Sequence, residues 1–391
     1  MLPLDGITVI SLEHAIAAPF ATRQLADLGA RVIKVERPGV GDFARNYDTR
    51  VNGMASHFVW TNRSKESLTL DVKHSEGSVI LQKLASKADV VVQNLAPGAA
   101  ARLGLSFESL SKDNPSILVC NISGYGVGGP DEKRKAYDLL VQSEAGFVTT
   151  TGTPETPSKA GISIADIAAG MYAYTNILAA LMQRGKTGKG CEIDLSMLDA
   201  MTEWMSYPLY YAYEGAEPPP RAGASHATIF PYGPFAVGDG RTVILGLQNE
   251  REWNVFCDVV LEAPDLATDS RFLSNSMRAQ NKVALTQIIT TSFSDLTTEN
   301  VIERLDRAGI ANANMNEMDD VWNHVQFEAR NRWREVDTPA GRIPALLPPG
   351  GIGVEPRMDA VPDLGEHSAA LLVEIGYSED DIAKLLNEKV I

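Results

Sequence analysis

The pattern that most narrows the fold of this chain is a strand–helix–strand unit at its start. Residues 7–12 read as a buried strand, 19–28 as a helix stopped by Gly29, and 30–35 as a second buried strand. Two apolar strands joined through a helix run parallel, and the crossover is right-handed. The theme recurs: 67–70 as a strand, 75–87 as a helix, 89–92 as an apolar run and 117–122 as a further strand. The expectation is an α/β fold whose large domain is a Rossmann-like open parallel sheet covered by helices, with a smaller α+β domain.

Composition then limits what such a fold does. A chain of 391 residues with 44% hydrophobic content has ample material for two domains. Its net charge of -15 repels a phosphate backbone at long range, so nucleic acid is not expected as a partner, and any polyanion must be held by a local group of cations. Cys120, Cys191 and Cys257 are too few and too scattered for a disulfide framework or a zinc site. The start, Met1-Leu-Pro-Leu-Asp-Gly6, shows no leader pattern, so the expected location is the cytoplasm. The longest apolar stretch, 164–182, carries Asp166, Thr175 and Asn176 and reads as a buried helix, with no membrane partner expected.

The turn after the first strand, Glu13-His-Ala-Ile-Ala-Ala-Pro19, has no G-x-G-x-x-G, which disfavours NAD. No phosphate-binding G-x-x-x-x-G-K-[ST] and no H-E-x-x-H are present, and no metal is expected. Downstream, a helix at 167–183, a strand at 191–195 and a long helix at 197–213, kinked at Pro208, precede a Pro-rich linker at 217–220. A strand at 242–247 and helices at 252–260, 278–293 and 299–308 build the smaller domain. The Pro/Gly-rich stretch 344–356 reads as a second linker and 365–374 and 379–387 as terminal helices. The expected division is 1–200 for the first part of the large domain, 201–222 as linker helix and linker, 223–315 for the small domain, and 316–391 for the return to the large one.

Asp166 stands out chemically, because it lies between an extended apolar segment and the start of a long helix. A carboxylate there faces unpaired N–H groups and partial positive charge, which favour the ionised form and suit a base or nucleophile; an N-capping aspartate is the other reading. Arg37, Lys73, Arg102 and Lys135 follow predicted strands, either as solvated charges or as a phosphate-gathering edge. The run Gly124-Tyr-Gly-Val-Gly-Gly-Pro130 either lets backbone approach a ligand or is a mobile loop. His14, at the end of the first strand, is a ligand contact or a loop histidine.

Taken in order, these segments resemble the class III CoA-transferase family (CaiB/BaiF type). The likeness rests on Leu4-Asp-Gly-Ile7, Asp27-Leu-Gly-Ala-Arg-Val-Ile-Lys-Val-Glu-Arg-Pro38, Asn62-Arg-Ser-Lys-Glu-Ser-Leu-Thr-Leu-Asp-Val-Lys73 and Ala88-Asp-Val-Val-Val-Gln-Asn94. It continues through Pro97-Gly98, Arg102-Leu-Gly-Leu105, Gly124-Tyr-Gly126, Lys135-Ala-Tyr-Asp138 and Lys186-Thr-Gly-Lys-Gly-Cys-Glu-Ile-Asp-Leu-Ser196. The resemblance implies that Asp166 becomes an aspartyl-CoA thioester, that Arg37, Lys73, Arg102 and Lys135 approach the CoA phosphates, and that Ala17, Leu70, Asn94 and Tyr137 line the CoA path. It places His14 and Ile16 beside the acid substrate, and implies an interlocked homodimer with no cofactor beyond CoA as substrate. Where some relatives carry a run of glycines over the site, this chain reads Arg221-Ala-Gly-Ala-Ser-His-Ala-Thr-Ile-Phe-Pro-Tyr232, which puts forward Ser225 and His226 as contacts to the acid.

The racemase branch of the family places a histidine where Tyr137 stands, and a phenol is a poor base for an α-proton at neutral pH, so transfer is favoured over racemisation. A non-catalytic acyl-CoA-binding protein is the third reading. The segment 221–232, with Leu245-Gly-Leu-Gln-Asn-Glu-Arg-Glu-Trp253, resembles the subgroup acting on small dicarboxylic acids such as mesaconate, itaconate, citramalate, malate, glutarate or succinate. Arg45, Arg50, Arg221 and His226 are the candidates for holding a second carboxylate.

Overall fold

A computed structural model describes residues 1–391. The chain forms two compact units, one of residues 1–147, 160–207 and 329–391, the other of 148–159 and 208–328. The first is built on six parallel strands, β1 (Thr8–Leu12), β2 (Arg31–Glu36), β3 (Lys65–Thr69), β4 (Val90–Gln93), β5 (Leu118–Ser123) and β6 (Cys191–Ser196), in the order β3-β2-β1-β4-β5-β6. The order reverses between β1 and β4, and in such sheets the crevice beyond the strands' carboxyl ends at that point is where ligands collect.

Alternation along the strands serves two cores. Val9, Val32, Val90 and Leu118 face α1 (Ala17–Asp27) and the long helix that follows β5, while Ile10, Ile33, Val91 and Val119 face the helix Ser75–Ala85 and the terminal helices Ser368–Glu374 and Glu379–Asn387. Two helices matter for the site: α2 (Asp138–Glu144) and α3 (Ile164–Thr187). By length and composition α3 is apolar enough to cross a membrane. Its buried stripe of Ala165, Ala168, Ala169, Ala173 and Ile177 is small, which lets α1 approach closely. At Gly170 a Cβ atom would stand 2.7 Å from the Ala17 carbonyl oxygen, so glycine is required there by main-chain contact.

The second unit packs β7 (Tyr232–Ala236), β8 (Thr242–Gly246) and β9 (Ala311–Asn314) as an antiparallel sheet over a core containing Trp253, Phe256, Phe272 and Phe293. Several expected boundaries move. The helix expected at 197–213 is interrupted at Met205, giving Met197–Trp204 and Ser206–Tyr211, because Pro208 has no N–H to donate one turn back. Part of the expected linker 344–356 is a strand, Ile343–Leu346, paired antiparallel with Trp333–Val336. The helix expected from 167 begins at Ile164.

Candidate active site

The loop from β1 into α1 is fixed from two sides. The His14 amide donates to Asn94 Oδ1 at 2.9 Å and Asn94 Nδ2 donates back to the His14 carbonyl at 2.9 Å, a clasp across the switch point. Ala15 is held at φ 61°, a left-handed conformation that costs a non-glycine residue about 1–2 kcal/mol, and its N–H donates to Asp42 Oδ1 at 3.1 Å. Beyond it the amides of Ile16, Ala17 and Ala18 have no acceptor within the chain. The Ile16 and Ala17 side chains are buried, so any contact these residues make with a ligand is through the main chain.

Beneath this loop lies a buried ionic network. Glu13 Oε1 accepts from Lys65 Nζ at 2.7 Å and lies 3.4 Å from Lys34 Nζ; Lys34 Nζ donates to Asp42 Oδ2 at 2.8 Å. Thr22 Oγ1 donates to Glu13 Oε2 at 2.6 Å, and Lys65 also reaches the Pro19 carbonyl at 3.0 Å and Asn62 Oδ1 at 3.1 Å. Burial alone would raise the Glu13 carboxyl, but the Lys65 and Lys34 charges outweigh it and hold it below the usual carboxylate range. Arg45 closes the neighbouring pair, bidentate on Glu36 at 2.7 and 2.8 Å.

Asp166 is the third residue of α3, three positions past the N-cap, and Ser163 occupies the cap without a side-chain bond. The cap comes from 28 residues earlier: Asp138 Oδ1 accepts from the amides of Ala165 at 2.8 Å and Asp166 at 3.2 Å, while its Oδ2 accepts from Gln142. The positive end of α3 is therefore spent on Asp138. This corrects the expectation that the helix end keeps Asp166 ionised: burial, then the Asp138 charge, push its carboxyl up to about 7. The Asp166 group keeps a partial opening to solvent, and its carboxylate oxygens accept no hydrogen bond from the chain. Gly170, one turn on and on the same face of α3 as Asp166, packs against the Ala17 carbonyl and Phe20 at the start of α1.

An Asp138→Asn protein keeps the acceptor oxygen that caps α3 and loses the charge. In the parent kcat/KM is expected to rise with the ionised fraction of Asp166 through about pH 7, and in the variant to turn up at lower pH. An acid limb that stays in place would show that Asp138 does not set it.

The four expected phosphate cations, Arg37, Lys73, Arg102 and Lys135, are all exposed, beyond the carboxyl ends of β2, β3, β4 and β5, and none forms an ion pair. By contrast Arg23, Arg31, Arg45, Arg63, Arg134 and Arg184 are each bridged to a carboxylate. The Leu70 side chain is packed in the core, and Tyr137, the residue before α2, is largely exposed. Gly124 owes its lack of a side chain to Ala136, whose Cβ occupies the space one would take.

Of the candidates for a second carboxylate, Arg45 is consumed by Glu36, and Arg221 donates to the carbonyls of Thr149, Thr153 and Pro154 at 3.1, 2.8 and 2.7 Å. Arg50 is exposed and unpaired. In the second unit Ser225 and His226 line a cleft of about 1060 Å³ together with Arg221, Tyr211, Lys282 and Thr286. His226 Nδ1 accepts from the amides of Thr228 at 3.1 Å and Ile229 at 3.0 Å, which leaves Nε2 carrying the proton, and its ring stacks on Tyr232.

Sequence reasoning missed Glu13, Lys34, Asp42 and Lys65 as a unit, and it missed Tyr47 and His57, which form an aromatic row with Phe43. The available signal was Lys34 itself, a lysine flanked by the apolar Val32, Ile33 and Val35 of β2.

A six-stranded parallel sheet whose order reverses between β1 and β4 is the architecture of ligand-binding α/β enzymes. Residues 4–368 match the family model described as CoA-transferase family III. The chain belongs to that family and is a CoA-transferase. It is 34% identical over 397 residues to succinyl-CoA:glutarate CoA-transferase of Mus musculus, covering 100% of this chain and 91% of that protein. It is 35% identical to acetyl-CoA:oxalate CoA-transferase of Acetobacter aceti, covering 84% and 85%. Among solved structures, a CaiB/BaiF family protein from Brucella suis superposes with a TM-score of 0.86 at 33% identity, covering 96% of this chain and 99% of that one.

Proposed function

We propose that this enzyme moves CoA from an acyl-CoA thioester to a small dicarboxylic acid through an aspartyl-CoA thioester on Asp166. The observation that carries the reading is the Asp166 carboxylate, partly open to solvent and bonded to no donor of the chain, on a helix whose first amides are capped by Asp138. An Asp166 oxygen attacks the donor carbonyl carbon; the C–S bond breaks, CoA leaves as thiolate, and a mixed anhydride remains. The thiolate then attacks the Asp166 carbonyl carbon, the donor acid departs as carboxylate, and the steps reverse with the acceptor. No net proton is consumed.

Each tetrahedral stage places negative charge on an oxygen, for which the Ile16, Ala17 and Ala18 amides are suitable donors. A carboxyl poised near neutrality is a stronger nucleophile once ionised than a free one, because burial has removed part of its hydration. Arg37, Lys73, Arg102 and Lys135 supply cations for the CoA phosphates. A homodimer accords with the exposed aromatic run Trp204, Tyr207, Tyr210 and Tyr213.

The dicarboxylate reading draws on the mouse and Acetobacter relatives, whose names give glutarate and oxalate as acids. A screen of acyl-CoA donors against mono- and dicarboxylic acceptors, with the CoA products read by mass, tests it. Glutarate, succinate or a similar diacid is expected to give the highest kcat/KM, and preference for monocarboxylic acids would reject the substrate class.

A further inference from the structure

We propose that His14 is the group that reads the remote carboxylate of the acceptor, through Nε2, becoming an imidazolium as the dianion arrives, with Asp42 as the opposite charge behind the ring. The proposal rests on the dicarboxylate reading above.

The ring is arranged for one open edge. One face is stacked on Phe43 with centroids 5.3 Å apart, and Nδ1 is buried without a hydrogen bond, 3.9 Å from Asp42 Oδ1. The side chain is 24% exposed, which leaves the Nε2 edge for a ligand. Its main chain cannot swing away, because Asn94 clasps both its amide and its carbonyl. The row continues from Phe43 to Tyr47 at 5.8 Å, and Tyr47 lies within the fields of both Asp42 and Asp166: burial and then those two charges push its phenol up to about 12. His14 thus stands at the far end of an aromatic wall that begins at the nucleophile.

The charges facing His14 come from β2, from the loop after it and from its own loop. Burial disfavours protonation most; Asp42 opposes it, Lys34 and Arg37 reinforce it, and Glu13 opposes it. Among the protein's own groups the balance favours the neutral imidazole. A monocarboxylic acceptor changes nothing at Nε2. A dicarboxylic one brings a second anion, so that the ring lies between two negative charges and takes up a proton. Of the other candidate cations of this unit for that role, Arg45 is held by Glu36, whereas Arg50 is exposed and unpaired, and an Arg50→Ala variant that lost the diacid selectivity while His14→Asn kept it would overturn the proposal.

The experiment measures kcat and KM for glutarate and for pentanoate, an acid of equal chain length with one carboxylate, using one acyl-CoA donor throughout and pH values on both sides of neutrality. In the parent, KM for glutarate is expected to climb with pH as the imidazolium is lost, with no matching climb for pentanoate. His14→Asn should remove that climb and lower the glutarate-to-pentanoate selectivity by about tenfold, mostly in KM, as expected for one charge-assisted hydrogen bond. If His14→Asn does not fold, His14→Gln carries the same measurement. Retention of the parental selectivity and pH profile in a folded variant overturns the proposal. So does a collapse of selectivity in His57→Ala alone, since His57 also lies 3.9 Å from a carboxylate, that of Asp48. A parent that transfers CoA but never to diacids overturns the substrate reading together with this one, whereas normal diacid transfer with an indifferent His14 removes only the present inference.

Discussion

An Asp166→Asn protein loses CoA transfer by about 10⁴-fold or more, the scale on which deleting a covalent nucleophile acts, and it gains stability at the same time. The gain follows from linkage. The Asp166 carboxyl is pushed up to about 7 in the fold, far above its value in the unfolded chain. Below the unfolded value both states are protonated and the residue costs nothing; as pH rises through the folded value the penalty reaches its full size. Melting temperatures of parent and variant should therefore coincide in acid, part as pH rises from the unfolded value toward about 7, and stay apart by a constant margin above it. Incubation of the parent with acyl-CoA and hydroxylamine should leave a hydroxamate on Asp166, seen by peptide mass. A variant that exchanges thioesters at the parental rate would remove the covalent mechanism.

The second large effect lies under the site. Glu13→Gln leaves Lys65 and Lys34, both fully buried, without their shared carboxylate. Breaking one member of such a network costs about 3–5 kcal/mol, measured as a lower midpoint in urea unfolding. Because Lys34 also holds Asp42, and Asp42 holds Ala15, the loop carrying His14 loosens and activity should fall beyond what the population of folded protein explains. Adding Lys65→Met to Glu13→Gln removes one stranded charge and should recover about 1 kcal/mol or more. A single variant as stable as the parent would show that water, and not Glu13, satisfies the lysines.

Much of the parallel sheet was legible because its strands are apolar and its turns are marked, as with β1, Gly29 and β2. The beginning of β3 was hidden by Lys65 and Glu66, since a charged residue at a strand's start reads as loop until its buried partner is known. The strands β7 and β9 were hidden for a different reason: Tyr-Gly-Pro-Phe-Ala carries two residues that oppose strands, and Ala-Asn-Ala-Asn has no apolar alternation. Asp166 was legible as a singular carboxylate, but not its environment. Its helix starts earlier than the local sequence suggests because the cap is supplied by Asp138, a contact that no window around residue 166 contains. Pairing likewise separated Arg45 and Arg221 from the free cations, and pairing is a property of the folded chain.

The contact between Gly170 and Ala17 bears on how this enzyme can change. Two backbones meet where a single methyl would force them apart, and the dimension so gauged is the separation of α1 from the helix that carries Asp166. Tolerance in that separation is thus machined by an atom that is missing, far less negotiable than the loops that choose the acid. New substrates can be accommodated by altering the wall of Phe43 and Tyr47 while the spacing of the two helices stays as it is.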